Sequence, residues 1–241
     1  MKLLGISTDA KTVKGEKMGV LTGILYMAPA DASGVANVCK YATDGCRAAC
    51  LFTAGRAAAF PMINEARIRK TKLFYADRAE FFRLLIADIG ALVRKAKREN
   101  LTPAVRLNGT SDLPWERVKV VRDSVAYANI MALFPVVQFY DYTKSPMAAR
   151  PVTPSNYDLT YSHSGAPERD AETDVSLVQG RRVAMVFDTK KGAALPAEWR
   201  GVPVIDGDVS DVRFADPIGV IVGLRAKGDA IGDTSGFVVR A

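Results

Sequence analysis

The strongest constraint on the fold is a rhythm. Short stretches rich in Val, Ile, Leu and aromatic residues recur along the chain, each running into a polar cluster. Helical or long connecting segments lie between them. Residues 19–27 read as a buried first strand. Residues 104–107 run into Asn108-Gly-Thr-Ser-Asp112, residues 136–142 into Asp141-Tyr-Thr-Lys144, and residues 159–162 into His163-Ser164. Residues 182–187 then lead to Asp188-Thr-Lys190, residues 202–205 to Asp206-Gly-Asp208, and residues 218–224 form the last strand. Strands separated by crossovers specify a parallel α/β sheet. The expected architecture is a single-domain partial or open (β/α) barrel, with a doubly wound sheet as the alternative. In either, ligands bind at the carboxyl ends of the strands, where the polar clusters would converge.

Two long helices are expected within residues 60–100, where Leu73, Phe74, Phe81, Phe82, Leu84, Leu85, Ile89 and Leu92 recur at helical spacing. Asp77 is placed to cap the second, with Glu80 at the reciprocal position of a capping box, and Asn100 and Pro103 end it. Residues 114–129 read as a further helix opened by Pro114. Residues 1–18 are polar and Lys-rich and are expected to form a loosely held arm, leaving 19–241 as one α/β domain. With 49% apolar and 24% charged residues in 241, the chain can build its core without disulfides or metal staples. A metal group would therefore serve function.

All three cysteines fall within twelve residues: Cys39-Lys-Tyr-Ala-Thr-Asp-Gly-Cys46-Arg-Ala-Ala-Cys50. The segment follows the first strand closely and would face the same mouth as the polar clusters. Cys46 and Cys50 are four apart, on one face of a helical turn. Asp44-Gly45 is the expected N-cap, putting Cys46 in the first turn, where free N–H groups and Arg47 favour thiolate. Three thiolates suit a four-iron, four-sulfide (4Fe-4S) cluster held by three irons, with the fourth iron open to a small-molecule ligand. A zinc site completed by the one histidine, His163, or by an aspartate is the second reading. Free thiols, or a disulfide with one spare, are the others.

A three-cysteine loop after the first strand of a partial (β/α) barrel resembles the radical S-adenosylmethionine enzymes. The spacing here, six and then three intervening residues, is wider than is usual in that family. The resemblance implies an open iron chelated by S-adenosylmethionine. A second resemblance spans more of the chain. The cysteine segment with Gly55-Arg56, Arg106-Leu-Asn-Gly-Thr-Ser-Asp112, the run from Val204 through Asp206-Gly-Asp208 to Pro217, and Gly223-Leu-Arg-Ala-Lys-Gly228 are similar to the phage-encoded gene product 88 family. That resemblance implies a bacteriophage protein acting in the bacterial host cytoplasm and carries no reaction with it.

Other polar groups complete the expected site. Arg106 and Asn108 share a strand face, with Asp112 in the loop beyond and Gly109 allowing close backbone approach. Tyr142 and Lys144 could meet a carboxylate or phosphate. His163 is the side chain expected to titrate near neutrality. Asp206 and Asp208, with Asp211, could hold a hard cation or form ion pairs, the pairs Asp208–Arg213 and Asp216–Lys227 being favoured. The net charge of +7 concentrates in residues 67–72 and 94–98. A non-enzymatic iron–sulfur or zinc protein binding nucleic acid or a host protein through these basic helices is the alternative function. No stretch is apolar and long enough to span a membrane, so a cytoplasmic location is expected.

Overall fold

The computed structural model describes residues 1–7, 10–50, 52 and 56–241. Its elements run β1 (Leu4–Ile6), α1 (Ala10–Glu16), β2 (Val20–Leu25), α2 (Asp44–Ala48), α3 (Arg56–Ala59), α4 (Pro61–Ala76), α5 (Arg78–Glu99) and β3 (Thr102–Arg106). There follow β4 (Val120–Arg122), β5 (Val125–Tyr127), α6 (Ile130–Leu133), β6 (Gln138–Thr143), β7 (Tyr157–Ser162), α7 (Asp170–Val178) and β8 (Val183–Phe187). The chain ends with β9 (Glu198–Trp199), β10 (Val202–Asp206), β11 (Ile221–Arg225) and β12 (Val238–Val239).

The main sheet has the order β1-β2-β3-β6-β7-β8-β11-β10-β9, with β12 alongside the end of β8. Every pairing from β2 through to β10 is parallel; β1 and β9 add antiparallel edges. Among the described residues no pairing joins the two edges. The seven expected strands are therefore present and parallel, within one mixed α/β sheet. All six residues of β2 are buried, as parallel strands covered on both faces require. Pro103 precedes the first β3–β6 pair, Ala104 with Gln138, so its missing N–H interrupts no pairing on that side.

One face of the sheet is covered by α5, which buries Phe81, Phe82, Leu85, Ile89, Leu92 and Ala96 at three- and four-residue spacing. Trp115 stacks on Phe81 at 6.2 Å and meets Phe74 edge-on. Asp77 caps α5 through the Glu80 N–H at 2.9 Å, as expected. The Glu80 carboxylate, however, pairs with Arg83. Asn100 ends α5 in the left-handed conformation, φ 54°. On the other face the chain after β10 packs Val212 and Phe214 against Val20, Ala104 and Tyr140.

Two expectations are corrected. The N-terminal segment is not a loose arm throughout: Leu4 to Ile6 pair with Leu25 to Gly23, Leu3 is fully buried, and Asp88 accepts the Leu3 and Leu4 N–H groups. Nor do residues 114–129 form one helix. A single 3-10 turn (Trp115–Arg117) leads into the β4–β5 hairpin, whose turn residues Asp123 and Ser124 have φ of 49° and 64°. Val118, Val120, Val121 and Val125 favour strand over helix. Asp-Ser tolerates the left-handed turn that a two-residue hairpin needs.

Candidate metal centre and cavity

The cysteine loop is fixed from three sides. Val38 is buried; its N–H donates to Ala30 O, and its carbonyl accepts the Asp112 N–H at 2.9 Å. The Cys39 N–H donates to Asn37 Oδ1 at 2.8 Å. The N-cap of α2 is Thr43, one residue before the expected pair: its Oγ1 accepts the Cys46 N–H at 3.2 Å and donates to Ser164 O at 2.9 Å. Cys46 still lies in the first turn, and the cap ties that turn to the end of β7. Gly45 permits close packing there, since an added Cβ would lie 2.0 Å from Ser235 Oγ.

Cys39, Cys46 and Cys50 line one cavity of about 550 Å³ at the carboxyl ends of the parallel strands. All three are half-buried. Burial pushes the Cys39 thiol up to about 12, with Asp112 and the other two cysteines adding to the rise. Burial also raises Cys50, against which the Arg67 charge works. Arg67 is a feature that sequence reasoning missed. It belongs by sequence to a basic helix face, yet it is buried over the rings of Tyr26 and Phe52 at 5.0 and 5.6 Å. Lys70 likewise turns inward, donating to Leu3 O at 2.7 Å. Among the described residues no three His, Cys, Asp or Glu side chains meet the geometry of a metal-ion site. The donor set nonetheless suits a soft metal group: three thiols that line one cavity.

The quoted motifs thus meet in space as well as in sequence, apart from Gly55, which lies outside the described residues, and Arg56, of which only the backbone is described. A family model for gene product 88 matches residues 2–241. The chain belongs to the gene product 88 family. No curated protein and no solved structure matches it.

The other predicted residues of this gene product 88 chain divide by environment. Arg106 and Tyr142 line the cavity. The Arg106 guanidinium donates to Asp211 at 2.7 Å and lies 4.6 Å from the Tyr142 ring centre. Asn108 and Asp112 also border the cavity, but their side chains hold the chain together. Asn108 Oδ1 accepts from Ser111 Oγ, Leu113 N and Trp115 Nε1. Asp112 accepts from Thr143 Oγ1 at 2.7 Å and the Lys144 N–H at 2.9 Å. The glycine at 109 answers to β2: an added Cβ would lie 2.8 Å from Leu25 O and 2.6 Å from the Tyr26 ring.

Lys144 is buried in the same cavity, its ammonium donating to His163 O at 2.6 Å and Ser162 Oγ at 3.1 Å. His163 itself lines a second cavity with Trp199 and Arg200, and its Nδ1 lies 3.0 Å from Thr173 Oγ1. Burial and the Lys144 charge lower its pKa. Asp206 pairs with Arg225. Asp208 lines the cavity and pairs with Arg225 and Lys227. The expected Asp208–Arg213 and Asp216–Lys227 pairs are therefore exchanged: Arg213 pairs with Asp216 and Lys227 with Asp208. Among the described residues no helix is long and apolar enough to cross a membrane.

Proposed function

We propose that Cys39, Cys46 and Cys50 hold a 4Fe-4S cluster whose fourth iron opens into the cavity, and that the protein is an iron–sulfur enzyme resembling the radical S-adenosylmethionine class. The observation that carries this reading is that all three cysteines line one cavity at the carboxyl ends of parallel strands. On this reading the sheet curls as a partial (β/α) barrel around the cavity. When bound, such a cluster supplies one electron and an open coordination position to a small-molecule ligand such as S-adenosylmethionine. The chain's own residues do the rest. Arg106, held by Asp211 and Tyr142, presents a fixed cation, and Asp208 with Lys227 lines the same cavity. Asn108 and Asp112 fix the loop that carries these groups. The phage resemblance makes the bacterial cytoplasm the proposed setting, where thiols stay reduced.

Anaerobic reconstitution with iron and sulfide tests the reading. It predicts a brown protein with charge-transfer absorbance and about four irons per chain. A colourless protein that takes up zinc would overturn it. Reduction in the presence of S-adenosylmethionine, followed by assay for 5′-deoxyadenosine, then tests the ligand. The non-enzymatic alternative, nucleic-acid binding through basic helices, draws support from the exposed Arg94, Lys97 and Arg98; its sign would be salt-sensitive DNA binding by the cluster-free chain.

A further inference from the structure

Lys144, like Arg67, is a buried cation with no ion pair among the described residues. Arg150 faces Glu116, Arg106 faces Asp211, and Arg213 faces Asp216, each across an ion pair. The Lys144 ammonium is as enclosed as these, yet its hydrogen-bond partners are neutral: Ser162 Oγ, Ser162 O and His163 O. The face of Phe237 covers it at 4.8 Å. Among the described residues no carboxylate forms an ion pair with it. Asp112 lies near, but its oxygens accept from Thr143 and the Lys144 backbone, and it faces Arg150. A buried ammonium with no carboxylate in ion-pair contact is costly. A fold that retains one implies an anion that arrives later.

The direction of that anion is set by the neighbours. Burial lowers the Lys144 pKa; against it act Cys46, then Asp112 and, more weakly, Cys39, each in its ionised form. Lys144 and the three thiols line the same cavity. Thr43 Oγ1 donates to Ser164 O, beside the carbonyls that hold the ammonium, so the cysteine turn and the lysine share one anchor. With three thiolates an oxidised 4Fe-4S cluster carries one net negative charge, and a second arrives with the electron on reduction. Net charge and nearby hydrogen-bond donors set the potential of such clusters.

We propose that Lys144 is the fixed counter-charge of the group bound by Cys39, Cys46 and Cys50, a positioning residue that favours the reduced cluster; this rests on the cluster reading above. Lys144 contributes no ligand and moves no proton. Its charge stabilises the more negative, one-electron-reduced state over the oxidised one, which raises the midpoint potential.

The test compares wild type, Lys144→Gln, Lys144→Arg and Lys144→Met. After reconstitution with iron and sulfide, each is titrated with dithionite and followed by electron paramagnetic resonance. The midpoint should fall in Lys144→Gln and return toward wild type in Lys144→Arg. An unchanged midpoint in Lys144→Gln with the cluster intact overturns the proposal while leaving the cluster reading standing. Thermal melting of the cluster-free chains provides a second measurement. A counter-charge waiting for its anion predicts that Lys144→Met melts no lower than wild type, because it removes an unpaired buried ammonium. A clear loss of stability or folding in Lys144→Met would make Lys144 a strut for Ser162 and His163 and overturn the proposal. A wild-type chain that takes up no iron and sulfide would end the cluster reading itself.

Discussion

Two polar regions meet at the carboxyl ends of the strands, and they are built on opposite plans. Around Asn108 the side chains answer one another. Asp141 accepts from the Asn108 N–H at 2.7 Å and from Tyr157 Oη at 2.8 Å. Arg150 reaches Tyr157 and grips Glu116 with two nitrogens. On the same cavity, three thiols stand half-buried, and a buried ammonium rests on neutral oxygens. A closed network rigidifies a fold. Soft thiols and a cation lining one cavity are the groups a ligand would meet there.

The sharpest break in this comparison is at the cysteines. Changing Cys39, Cys46 or Cys50 to Ser should abolish or degrade the reconstituted cluster, read by absorbance and iron content, while the melting temperature of the cluster-free chain stays close to wild type. The Asn108 side should behave in reverse. Arg150→Met should leave Glu116 as an uncompensated buried charge and cost about 3–5 kcal/mol in denaturant unfolding. Iron uptake by the folded fraction should persist.

A smaller effect concerns pH. Burial pushes the Asp141 carboxyl up to about 7, against the opposing pull of Arg106. Its ordinary value in the unfolded chain is about 4. Because the folded value is the higher, Asp141's contribution to stability is complete below about pH 4 and is lost as pH rises through about 7. Asp141→Asn should therefore flatten the fall in stability over that range, by on the order of a few kcal/mol. Unfolding free energies of the two proteins, compared at several pH values, measure the difference. The smallest effect is expected on the outer face of α5. Arg94→Gln with Arg98→Gln should change stability by less than about 0.5 kcal/mol and leave the cluster untouched. Loss of DNA binding in that variant would favour the alternative function.

Much of the frame was legible. The strand-and-crossover rhythm foretold seven parallel strands, because β-branched runs ending in turn residues have few other uses in a buried sheet. The apolar spacing along α5 and its Asp77 cap were equally readable. The hairpin at residues 120–127 is hidden in sequence because Pro114 suits a helix start, while the valines around Asp123-Ser124 favour strand. The pairing of β1 with β2 was missed because three residues of strand leave little periodicity. At the site, the gathering of cysteines was plain, but the inward turn of Arg67 was not. A cation on a helix looks solvent-facing until the rings of Tyr26 and Phe52 are brought beneath it.

By itself the amino-acid order determined the local facts: which segments extend, where α5 begins and ends, and that three thiols lie within twelve residues. Those follow from short-range sterics, capping and composition. Only the tertiary structure decided which charges would be answered. Arg106 finds Asp211 from 105 residues away, His163 turns to a second cavity, and Lys144 is enclosed without a carboxylate. Pairing of that kind depends on strand order and on which face each side chain takes, and neither is encoded within a few neighbouring residues.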